Sequence, residues 1–95
     1  MSALPDTRPS PRPVPRLPKG WTRPRPDILS WRSERPTIIL GVDVYLAAHG
    51  FIRSHEVRGW RPGTSMEPVP LEASEVEGAL VELRKVLAYI AAGGR

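Results

Sequence analysis

Between residues 9 and 18 a proline recurs at every second or third position: Pro9, Pro11, Pro13, Pro15 and Pro18. Each fixes its own φ, removes a backbone donor and disfavours helix in the residue before it. A segment built this way can be neither a helix nor a central strand, which leaves extended polyproline II. At about 3.1 Å per residue, residues 5–26 would reach roughly 70 Å. Nine of the twelve prolines lie in residues 1–36. Composition therefore divides the chain into an extended Pro/Arg-rich arm, 1–36, and a small folded domain, 37–95.

The charge divides at the same place. Residues 1–36 carry eight Lys/Arg against three Asp/Glu, a net of +5, whereas 37–95 carry six against seven, a net of −1. A cationic arm on a near-neutral domain points to a polyanionic partner, with Arg8, Arg12, Arg16, Lys19, Arg23 and Arg25 as the contacts. Proline stiffness helps, because a rod loses less chain entropy on docking than a flexible linker does.

Trp21 and Trp31 depart from a plain charged tail. Asp27 is placed to cap one or two helical turns that would set Ile28 and Trp31 on one side. Trp21, Ile28 and Trp31 are the expected anchors of the arm on its partner; the alternative is that they fold back onto their own core. The run Arg12-Pro13-Val14-Pro15-Arg16-Leu17-Pro18 also satisfies the basic-x-x-Pro-x-x-Pro pattern read by SH3 grooves.

Several classes are excluded. The chain has no cysteine, so it forms no disulfide scaffold, zinc-thiolate module or thiol nucleophile. No apolar run approaches the ~18 residues of a membrane span, and no membrane partner is expected. Met1 is followed by no apolar signal region, and the proline density forbids the amphipathic helix of a transit peptide. The expected location is the cytoplasm, or a particle assembled there.

In the second segment, 74–92 carries the clearest pattern. Val76, Leu80, Leu83, Leu87 and Ile90 recur at spacings of four and three, a continuous apolar seam that Ala79 and Val86 widen. Ser74 and Glu77 form a capping-box pair, and Gly93-Gly94 supplies the stop. The seam serves either a small core or a homo-oligomer through helix 74–92. Residues 37–42, rich in β-branched side chains, read as a buried strand.

Residues 43–60 admit two structures. In one, Asp43 caps a short helix, Gly50 stops it with Phe51 folded back on Leu46, and Ser54 caps a second helix carrying Val57 and Trp60. The stretch from Leu46 to Trp60 then resembles a helix-turn-helix, which implies a DNA-reading unit with Arg53, Arg58 and Arg61 near the groove. In the other, His49-Gly50 closes a hairpin whose register sets Asp43 opposite Glu56. The fold class is accordingly a small α+β domain behind an extended arm, with an α-rich domain carrying a helix-turn-helix-like pair at 43–60 as the alternative.

Catalytic chemistry has little to build on. His49 and His55 are six apart, which suits neither a helix face nor a metal pair. Asp43, His49 and Ser54 have no nucleophile turn around them. Glu75, Glu77 and Glu82 read as the solvated face of the last helix. No catalytic residue, metal or cofactor is expected, and the chain reads as a non-enzyme. The leading expectation is a structural protein that docks into a virion or ribonucleoprotein through its basic arm. A small DNA-binding regulator and a proline-motif adaptor are the alternatives.

Overall fold

The computed structural model describes residues 15–64 and 67–94. Four strands, β1 (Trp21–Arg25), β2 (Ile28–Glu34), β3 (Ile39–Leu46) and β4 (Ile52–Trp60), precede one helix, α1 (Ala73–Ala91). The strands form a single antiparallel sheet in the order β1-β2-β3-β4. The domain is α+β, with the helix laid across one face of a four-stranded meander.

The strand expected at 37–42 is present, shifted to Ile39–Leu46. The hairpin alternative holds for 43–60 in its register, with Asp43 opposite Glu56, but not in its two-residue His49-Gly50 loop, and no helix-turn-helix forms there. A single 3-10 turn, Ala48–Gly50, joins β3 to β4, with Gly50 at φ 78°. Phe51 does not fold back on Leu46; it is 71% exposed. The deciding factor is alternation. Leu40, Val42, Val44 and Leu46 are all buried at intervals of two, the strand period, and a helix would have scattered them around its axis.

The sheet extends into the segment expected as an arm. Residues 21–34 form β1 and β2, so the boundary placed at Pro36 falls in the turn between two strands, where Arg35 N donates to the Ile38 carbonyl at 2.9 Å. Proline is tolerated here because β1 is an edge strand, with ladder partners on one side only. Pro24 stands where the β1–β2 register shifts, between Thr22 and Arg25, and Pro26-Asp27 makes the turn. No helical turn forms at Asp27, since Ile28 and Trp31 belong to β2.

The core lies between the sheet and α1. Trp21, Leu29, Val42, Val44 and Leu46 meet Ala79, Leu83 and Val86, with Leu17, Trp31, Val57, Leu80, Leu87, Tyr89 and Ile90 packed around them. Four of the five expected seam residues thus serve the chain's own core, and the helix's buried line runs through Ala79, Leu83 and Val86. Val76 is half-buried. Leu83, at the centre of the seam, is enclosed at 5% exposure. Each fully buried Leu or Val contributes roughly 1.5–3 kcal/mol.

The helix begins one residue early. Its N-cap is Glu72, with no side-chain capping bond, and the amides of Glu75 and Val76 both donate to the Glu72 carbonyl at 3.0 Å. Ser74 therefore lies inside the first turn and the capping box is not made. The preceding chain sets this start, because Val69 N donates to the Gly59 carbonyl at 2.9 Å and Leu71 fills the space above Gly59. The stop is as expected. Gly93 at φ 93° closes a Schellman turn, with Gly94 N donating to Tyr89 O at 2.9 Å and Gly93 N to Ile90 O at 3.0 Å.

Candidate functional site

The sheet face away from α1 carries a compact charged cluster. Register places Ser30, Asp43 and Glu56 in one row across β2, β3 and β4, and Arg32, Gly41 and Arg58 in the next. Side chains two residues apart on a strand share a face, so both rows point to the same side. Asp43 is buried, at 4% exposure. Its Oδ1 accepts from Ser30 Oγ at 2.6 Å and lies 3.1 Å from Arg32 Nη1. Its Oδ2 lies 3.5 Å from Arg58 Nη2.

Directly opposite stands Glu56, the like-charge pair that the hairpin register implied. Arg58 resolves it: the guanidinium reaches Asp43 and also places Nε 3.4 Å from Glu56 Oε1. The repulsion that counted against a hairpin is thus removed by cations of the adjacent row, one of them from β2.

Trp60 completes the cluster. The Arg32 and Arg58 guanidiniums lie 5.3 and 5.6 Å from its ring centroid, within cation–π range. Gly41 makes room, since a Cβ there would come within 2.9 Å of the ring and 3.0 Å of Arg32 Nη1. Trp60 is buried to 7% exposure although it belongs to the face that α1 leaves open. The cluster is internally paired, so it offers no free charge to a ligand.

Free charge lies at the end of the sheet where the β1–β2 and β3–β4 hairpins turn. An open cleft of about 630 Å³ there is lined by Arg23, Asp27, Leu46, Ala48, Gly50 and Arg53, among others. Arg23 Nη1 donates to the Pro26 carbonyl at 2.9 Å, while its Nη2 is enclosed without an acceptor. Arg25 and Arg53 have no hydrogen-bond or ion-pair partner among the described residues.

The residues expected to act fall into three groups. Arg8 and Arg12 lie outside the described residues. Arg16 and Lys19 are exposed on the segment leading to β1, and Arg23 and Arg25 sit in β1 itself. Of the expected anchors, Trp21 is 6% exposed in the core, Trp31 packs on that core while half-buried, and Ile28 is half-buried in β2. The apolar area of Trp21 is thus used within the chain. The proline motif is engaged at its C-terminal end, where Leu17 packs on the core and the Pro18 carbonyl accepts from Trp21 N at 3.1 Å.

Among the described residues no group of three or more His, Asp or Glu could hold a metal ion, and no helix is long and apolar enough to cross a membrane. Ser54 and His55 are consecutive exposed residues of β4. Glu75 and Glu82 are half-buried, so the acidic face of α1 is only partly solvated.

Sequence reasoning missed the meeting of Arg53 with Arg23 of β1, because the two hairpin ends that meet at the cleft are far apart in the chain. The Asp43–Arg58 relation had a signal, namely the acid pair implied by the hairpin register. Comparison of the chain with protein-family models, with curated proteins and with solved structures finds no match in any of the three.

Proposed function

We propose that the protein is a non-enzymatic assembly module that docks on the polyanionic component of a larger particle, a virion or ribonucleoprotein, through its basic arm and the basic sheet that continues it. The observation that carries this is the placement of charge. Residues 1–64 hold eleven Lys/Arg against five Asp/Glu, a net of +6, and 65–95 hold three against five, a net of −2. Within the sheet, Asp43 and Glu56 are taken up by Arg32 and Arg58, which leaves Arg25 and Arg53 without an ion-pair partner among the described residues, against Glu34 as the remaining acid. A sheet that keeps more unpaired cations than unpaired acids attracts polyanions. The cytoplasm, or a particle formed there, is the location that goes with this reading.

The test is salt dependence. Binding of the full chain to nucleic acid should weaken steeply as salt rises, because counterions are released from each neutralised phosphate. One variant replaces Arg8, Arg12, Arg16 and Lys19 with Gln, and another Arg25, Arg53 and Arg61. Each set should lower the log–log salt slope by about one per contacting cation removed. A flat salt profile, or slopes untouched by both sets, overturns the proposal.

A further inference from the structure

The hairpin end of the sheet carries an arrangement that neither the core nor the Asp43 cluster uses. Arg53 lines the cleft with its guanidinium unpaired among the described residues, and Arg23, which also lines it, is fixed by its bond to the Pro26 carbonyl at 2.9 Å. Leu46 and Ala48 also line it and contribute apolar surface. Phe51 immediately precedes β4 with an extended backbone, φ −74° and ψ 145°. In the chain Phe51 stands between two residues that line the cleft, Gly50 and Arg53, where the β3–β4 register shifts. The Phe51 ring is 71% exposed, while the other aromatic rings of the sheet, Trp21, Trp31, Tyr45 and Trp60, are buried or half-buried.

We infer that this cleft is a subsite for single-stranded nucleic acid, with Arg53 and Arg23 toward a phosphate and Phe51 stacked on the adjoining base. The inference rests on the polyanion reading above and specifies the strand state. Guanidiniums match phosphate oxygens, and an exposed ring gives an unstacked base a face to lie on. An acidic peptide would use the cations and leave the ring idle. A duplex would meet the cations with its backbone, but its bases are already stacked on one another. Asp27 lies at the same cleft and opposes phosphate; Arg23 and Arg53 outnumber it, and Arg25 ends β1 beside it.

The experiment uses the full chain with labelled oligo(dT) and a duplex of equal length, followed by fluorescence polarisation at two salt concentrations. Phe51→Ala should weaken oligo(dT) binding about tenfold and leave duplex binding unchanged, and Phe51→Trp should restore the oligo(dT) affinity. Arg53→Gln should lower the salt slope for oligo(dT) by about one. Both positions are exposed, and circular dichroism checks that the variants fold. If wild type binds oligo(dT) and neither Phe51→Ala nor Arg53→Gln weakens it, the cleft is not the subsite and the polyanion reading stands. Equal losses on oligo(dT) and duplex in Phe51→Ala also overturn it. A wild type that binds neither nucleic acid overturns both.

Discussion

Asp43 is held by three side chains from two other strands, Ser30 and Arg32 of β2 and Arg58 of β4. Removing its cations strands a buried carboxylate, and breaking a buried pair from one side costs about 3–5 kcal/mol. Arg32 and Arg58 keep 35% and 28% of their side-chain surface exposed, so they return to water more easily than Asp43 does. The consequence is an asymmetry that urea denaturation can measure. Arg32→Gln with Arg58→Gln should destabilise the fold more than Asp43→Asn alone, by about 1 kcal/mol or more. Adding Asp43→Asn to the double variant should recover part of the loss, and no recovery would show that the arginines act through Trp60 instead. At Gly41, where the ring leaves no room for a Cβ, substitution by Ala should cost about 1–3 kcal/mol by overpacking.

At the scale of elements, α1 separates what periodicity predicts from what capping predicts. The seam places Leu83 at 5% exposure and Val81 at 46%. Leu83→Glu buries a carboxylate without a partner and should cost about 3 kcal/mol or more, whereas Val81→Glu should stay within about 0.5 kcal/mol. Thermal melts resolve these, since 1 kcal/mol shifts Tm by about 4–8 °C in a domain of this size. Ser74→Ala is the sharper test of the helix start. A working N-cap serine is worth about 1 kcal/mol, but Ser74 lies inside the first turn behind Glu72, so its removal should change stability by less than about 0.5 kcal/mol. A loss of the full capping value would place the helix start at Ser74.

For the whole molecule, strand order governs what can be cut away. β1 and β2 supply Trp21 and Leu29 to the core, and β2 is the only strand that pairs with β3 on that side. Removing residues 1–36 should therefore abolish cooperative unfolding, contrary to what a compositional boundary at Pro36 implies. Removing residues 1–14 should leave the melting temperature within a few degrees, because the described core contacts begin at Leu17. Circular dichroism melts of the two truncations check both outcomes. A folded 37–95 fragment would mean that the β3–β4 hairpin and α1 suffice alone, against the expectation for so small a core.

Local chemistry determined those parts of the protein that depend on neighbours in the chain. The apolar spacing from Leu80 to Ile90 marked the helix and its inner side, Gly93 marked its stop, and the β-branched residues before Val42 marked a buried strand. The candidate cleft was not legible, because Arg23 and Arg53 are thirty positions apart and meet only when two hairpins turn at the same end of one sheet. Proline and arginine density misplaced the arm boundary for a related reason. A proline's effect depends on whether its strand lies at an edge, and strand order is a tertiary property. The same holds for Asp43 against Glu56. Paired alone, the two carboxylates disfavour a hairpin; with Arg32 brought in from β2 and Arg58 between them, they become part of what holds the open face together.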